Sequence, residues 1–144
     1  MIAELYSDDL KKSTTRITSV VDDRVQSHHA ALDLKVDESE VSDALDGVAT
    51  KHFVPTFLML IVTATAGGIN ADGTLNVGTS ADNNDIASAV ALTGLTAVGA
   101  MRMVPLAANS DAVLGNATLY VNIEAADTGA GSLVLEAYVL GRQL

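Results

Sequence analysis

Ala117, Leu119, Val121 and Ile123 alternate along the chain with Thr118, Tyr120, Asn122 and Glu124. That period of two places one set on a core and the other toward water, as in a half-buried β-strand. Short apolar or alternating runs of the same kind recur from Phe53 onward: Thr56 to Thr65, Thr74 to Gly78, Ile86 to Leu92, Val98 to Val104 and Ser132 to Leu140. Turn-forming clusters separate them, among them Asp72-Gly73, Asp82-Asn83-Asn84-Asp85, Asn109-Ser110-Asp111, Gly115-Asn116 and Gly129-Ala130-Gly131. Short strands in close succession predict a mainly β domain over residues 52–144, an antiparallel β-sandwich of jelly-roll-like type.

The last run departs from clean alternation. Leu133, Leu135, Ala137 and Val139 alternate with Val134, Glu136, Tyr138 and Leu140, so both faces are largely apolar. A strand that is apolar on both faces needs a cover on the second one, and in a small domain a second copy of the chain supplies it. Val134, Tyr138 and Leu140 are therefore the expected oligomer contacts.

Residues 1–51 read differently. Leu10, Ile17, Val20, Val21, Val25 and Leu32 recur at helical spacings, and Asp8 and Asp9 suit the positive end of a helix dipole. Ser13, Thr14, Thr15, Thr18 and Ser19 are weak helix formers, so a marginal helix or extended arm is expected. A second short helix is expected from Glu38 to Val48, with a turn at Asp33–Asp37 between the two. Six of the basic residues lie in this region, and after Lys51 only Arg102 and Arg142 remain. The shift in composition sets the expected boundary: an arm or helical anchor over 1–51 and a β-domain over 52–144.

Charge and composition narrow the function. The chain has 144 residues, 49% of them apolar, which suits one domain with an appendage. Its net charge of -10 opposes binding to nucleic acid or to anionic lipid. The absence of Cys excludes disulfides, thiolate metal sites and cysteine nucleophiles, and the absence of Trp removes the usual platform for sugars. No basic stretch precedes an apolar one near Met1, so a secretory signal is not expected. The uncharged window from His52 to Ala71 has an apolar core of only Phe57 to Val62, far short of the roughly 20 residues of a spanning helix. It reads as a buried strand.

Candidate chemistry is sparse. His28, His29 and Asp33 are the one cluster with metal-ligand character, but adjacent histidines diverge on a helix and no further ligand stands near in sequence. The Asp82–Asp85 loop is rich in oxygen, yet it lacks the spaced ligands, central glycine and final glutamate of a calcium loop, and reads as a turn with Asx hydrogen bonds. No G-x-S-x-G, dinucleotide fingerprint or phosphate loop occurs. Glu124 and Glu136 stand singly on predicted strands, without the pairing that glycoside hydrolysis needs. The expectation is a protein that is not an enzyme and carries no cofactor.

Four stretches carry a resemblance: H-F-V-P-T-F-L-M-L-I-V-T-A-T-A at His52 to Ala66, G-T-L-N-V-G-T-S at Gly73 to Ser80, N-A-T-L-Y-V-N-I-E-A-A-D-T at Asn116 to Thr128, and L-V-L-E-A-Y-V-L-G at Leu133 to Gly141. In texture and strand order the chain from His52 on resembles the small β-sandwich virion proteins of tailed bacteriophages, a group that includes head decoration (cement) proteins and head fibres. The resemblance implies a jelly-roll knob, usually a homotrimer, fastened to the major capsid protein on the outside of the shell by an N-terminal arm. Here that arm offers Lys11, Lys12, Arg16 and Arg24 beside an apolar stripe of Leu10, Ile17, Val21 and Val25. The polar stretch before Lys51 is longer than a simple tether needs, which keeps a receptor- or glycan-binding fibre or tail module as the alternative.

Overall fold

The computed structural model describes residues 24–106 and 113–144. Among them nine strands form: β1 (Arg24–Asp33), β2 (Glu40–Ala44), β3 (His52–Ala66), β4 (Thr74–Gly78), β5 (Ala87–Ala91), β6 (Met101–Pro105), β7 (Val113–Leu114), β8 (Thr118–Ala125) and β9 (Ser132–Gln143). They build two antiparallel sheets, one ordered β1-β9-β3-β6 with β7 added to β3, the other β2-β8-β4-β5. No helix occurs among the described residues.

One apolar core lies between the sheets. Leu58, Leu60 and Val62 of β3 meet Leu133, Leu135, Ala137 and Val139 of β9 on one side, and Leu75, Val77, Leu119, Val121 and Ile123 supply the other. The wholly apolar run Phe57 to Val62 is explained by β3 being one of the two central strands of its sheet. A bulge between Pro55 and Phe57 shifts the phase of β3, so Phe53 and Pro55 point inward before it and Leu58, Leu60 and Val62 after it. Bulges are where a strand tolerates proline, which has no N–H for the ladder. Gly141 of β9 sits under this segment, where a side chain would strike the Phe53 ring and the Val54 carbonyl.

From Arg24 to Lys51 strands stand where helices were expected, while the part of the first expected helix before Arg24 lies outside the described residues. Residues 24–33 form β1 because Val25, Ser27 and His29 all point inward, and a bulge with Ala31 at φ 60° then restores Leu32 to the core. Counting apolar residues alone hid this alternation, since two of its inward positions are polar. Ser27 and His29 satisfy each other, Oγ to Nε2 at 2.8 Å, and His29 Nδ1 donates to the Val41 carbonyl at 3.2 Å. Within Glu38–Val48 the chain forms β2 on the edge of β8, with Val41 opposite Val121. So short a segment gains little as an isolated helix, whereas β8 offers it a ready antiparallel ladder. Hence the boundary expected at residue 51 falls inside the two-sheet unit, to which β1 and β2 each contribute a strand. The turn expected at Asp33–Asp37 is present, with Asp33 Oδ1 accepting from the Lys35 amide at 2.9 Å.

Two devices close the margins. Along the free edge of β1, the Gln26 amide donates to Asp46 Oδ1 at 2.7 Å and the His28 amide to Asp43 Oδ2 at 2.9 Å. On the other side Arg102 of β6 donates to the carbonyls of Ala91 and Thr93, at 2.8 and 3.2 Å, and so ties the open edges of the two sheets together. At one end of the molecule Lys35 Nζ donates to the carbonyls of Asp127 and Gly129. Asp72 accepts there from both the amide and the hydroxyl of Thr128, and these two bonds hold its carboxyl below the usual carboxylate range.

Candidate interaction face

The two sheets present unlike outer faces. On β2-β8-β4-β5 the outward residues include Glu40, Ser42 and Ala44 with their partners Asn122, Tyr120 and Thr118, and Glu124 and Asn76. Its buried Asn76 donates to Glu124 Oε2 at 2.6 Å and accepts from the Ala89 amide at 2.8 Å. That face is mostly polar, and Asn76 and Glu124 bond to each other on it.

The outer face of β1-β9-β3-β6 is apolar. Register sets its side chains in three rows across the strands: Gln26, Leu140, Phe57 and Pro105; His28, Tyr138, Met59 and Met103; then Glu136, Ile61 and Met101. Phe57 is 42% exposed, Met103 51% and Met101 61%. Large apolar side chains at that exposure, adjacent to one another, leave water against a continuous surface. At ordinary strand and residue spacings the rows span about 14 Å each way between Cα atoms. With side chains the face covers on the order of 400 Å², in the range of the largest patch on an ordinary monomer, which is often a functional one.

A polar cluster is set into this face. The His28 ring stacks on the Tyr138 ring with centroids 4.4 Å apart and 8° between planes. Glu136 Oε2 accepts from His28 Nε2 at 3.0 Å and from the Tyr138 hydroxyl at 3.2 Å. Desolvation raises the Tyr138 phenol above its ordinary range, and the hydrogen bond and negative charge of Glu136 raise it further. His29, one residue along β1, points the opposite way into the core, and burial lowers its pKa from 6.5. The neighbouring histidines therefore diverge on a strand as they would on a helix, one ring outward and one in the core. At the Asp82–Asp85 loop, Asp85 accepts from the amide and hydroxyl of Thr79 at 2.8 and 2.6 Å, and Asn83 Oδ1 caps the Asn84 amide at 2.8 Å.

Val134, Tyr138 and Leu140 all lie on the outer face of β9, half-buried by their cross-strand neighbours. What the sequence reading missed is the company they keep: Phe57, Met59 and Ile61 from β3, and Met101 and Met103 from β6. A signal was present, since an apolar run without alternation on β3 implies a second apolar face. Of the residues expected to anchor the chain, Leu10, Lys11, Lys12, Arg16, Ile17 and Val21 lie outside the described residues. Arg24 is exposed on β1 and stands directly opposite Arg142. Val25 is only 4% exposed and belongs to the core, so it is no part of an exposed apolar stripe; strand alternation separates it from Arg24.

The fold and this face define a two-sheet β protein with one polar and one apolar outer surface. Among solved structures, a chain of the cyanophage Pam1 capsid asymmetric unit is similar to it, with a TM-score of 0.44 and 16% sequence identity over 82% of this chain and 84% of that chain. No protein-family model and no curated protein matches the sequence.

Proposed function

We propose that the chain is a structural protein of a phage particle, a decoration or cement protein that binds the outside of the shell and stabilises the junctions between capsomers. The observation that carries this reading is the apolar outer face of β1-β9-β3-β6, which calls for a protein partner in a molecule whose other sheet face is polar. The resemblance of the strand sequences from His52 on to small virion proteins supports it, and with it a jelly-roll-like knob. In this reading Val134, Tyr138 and Leu140, with Phe57, Met59 and Met103, form the contact between copies in a homotrimer. Residues before Arg24, with Lys11, Lys12 and Arg16 among them, fasten it to the major capsid protein. The role is exerted by contact area rather than by catalysis: many copies, each of modest affinity, add up to a large stabilisation of the shell.

Mass spectrometry of purified particles tests the proposal. A copy number comparable to that of the capsomers is expected for a cement protein. Absence from the particle overturns the virion reading, and a few copies per particle moves the chain to a fibre or tail.

A further inference from the structure

Building on the reading of the apolar face as the contact between copies of the chain, we infer that closing this contact takes up a proton at the His28–Glu136–Tyr138 cluster, so that copies hold together more tightly at pH 6 than at pH 8.

His28 and Tyr138 are cross-strand partners in the middle row of the face, in line with Met59 and Met103. The side chains of His28 and Glu136 are 43% and 31% exposed, so water reaches both in the single chain, and a second copy lying on the face removes it. With a neutral imidazole the cluster carries the full negative charge of Glu136, held by one N–H and one O–H. Taking that charge out of water costs far more than taking out a neutral pair. A protonated imidazole at 3.0 Å cancels it, and the ring then lies as a cation on the face of Tyr138. Imidazole is the side chain whose charge changes near neutral pH, so the proton is at hand in that range. Covering the face therefore favours the protonated cluster, and by reciprocity the proton favours covering the face.

The surrounding charges leave Glu136 as the group that decides. Asp43 and Asp46, beside the free edge of β1, hold the backbone amides of His28 and Gln26, and their negative charge acts in the same direction as that of Glu136. Arg24 on β1 and Arg142 opposite it on β9 lie four residues along from His28 and Tyr138. That is about 14 Å along the strands, beyond the screening length of about 8 Å at physiological salt. From β3 and β6 the row receives only Met59 and Met103, and His29 points into the core.

Area makes one proton count. A standard stable interface hides about 800 Å² on each partner, and this face covers on the order of half of that. Apolar contact alone leaves the association near balance, where the charge state of a group in the middle row moves it.

Sedimentation equilibrium of the full-length chain at pH 8 and pH 6, in the same physiological salt, tests the inference, with circular dichroism melts at each pH reading the fold separately. The wild type is expected to associate about tenfold more tightly at pH 6, the effect of coupling worth one pH unit. His28→Gln is expected to stay at the wild-type pH 8 level at both pH values, because nothing then cancels Glu136. Glu136→Gln is expected to reverse the trend, because the imidazolium becomes the unpaired charge. Equal association of the wild type at both pH values overturns the proton uptake while the contact between copies stands. A wild type that is monomeric at both overturns the contact and the inference together. The wild-type trend persisting in Glu136→Gln or in His28→Gln assigns it to a general easing of the net charge of -10, and also overturns the inference.

Discussion

Leu135 and Leu140 lie on the same strand, β9, but on opposite faces, and substituting each separates folding from association. Leu135 is fully buried between the sheets. Truncation to alanine removes about three carbons, some 2.4 kcal/mol of transfer free energy at about 0.8 kcal/mol each. The cavity left in a core that cannot fully collapse brings the loss to about 4 kcal/mol. Counting the roughly 115 described residues, with an unfolding entropy near 2.1 cal/mol/K per residue, Leu135→Ala lowers Tm by about 16 °C. Leu140 faces outward, so an aspartate there reaches water in the isolated chain and changes its stability by no more than about 1 kcal/mol. Against an apolar partner the same carboxylate is desolvated, which weakens association by about 2 to 5 kcal/mol, roughly 30-fold to several thousandfold. Thermal melts by circular dichroism and sedimentation velocity on matched samples read the two effects. An assembled wild type, a dissociated Leu140→Asp of nearly unchanged monomer Tm, and a low-melting Leu135→Ala are expected. The division of β9 into a core face and a contact face is refuted if Leu140→Asp melts as low as Leu135→Ala, or if it associates as strongly as the wild type.

The remaining predictions concern the core and its titrating group. Burial lowers the His29 pKa, so the folded chain resists a proton that the unfolded chain takes up near pH 6.5; stability is therefore full above that value and falls as the pH drops through it toward the lowered folded value. Denaturant titrations at pH 7.5 and 5.5 are expected to show this loss, and His29→Gln to reduce it; an equal slope in both proteins excludes His29 as its source. Gly141→Ala forces a methyl group against the Phe53 ring and the Val54 carbonyl and is expected to lose about 1 to 3 kcal/mol in the same titration, with an unchanged midpoint counting against the close approach.

The sequence was most readable where alternation and turn chemistry coincide. β4 falls at the expected Thr74–Gly78, and β8 and β9 lie within a few residues of their expected limits, because Asp72-Gly73, Gly115-Asn116 and the Gly129–Gly131 turn punctuate them. β1 was unreadable for a chemical reason: Ser27 and His29 are polar in sequence but behave as core once they bond to each other and to the Val41 carbonyl. β2 has one clear inward apolar residue, Val41, and its Asp43 serves the neighbouring strand's amide instead of water. The candidate face was half visible. Val134, Tyr138 and Leu140 show in the texture of β9, whereas Met59 and Met103 join them only through the order β9-β3-β6, a non-local pairing that periodicity along one strand does not encode.

The aspartates along β1 bear on how such a chain behaves when crowded. An open strand edge recruits further strands sideways, a growth with no natural end that leads to fibres. Here Asp43 and Asp46 occupy the amides of β1 on one flank, and on the other β6 ends at Pro105, which has no amide hydrogen to offer. Strand addition is disfavoured at these positions of the first sheet while the apolar surface between them stays available. On this sheet the surface left for a neighbour is the apolar one. Association through that face ends once the face is covered, so growth on this sheet is limited by geometry rather than by weak affinity.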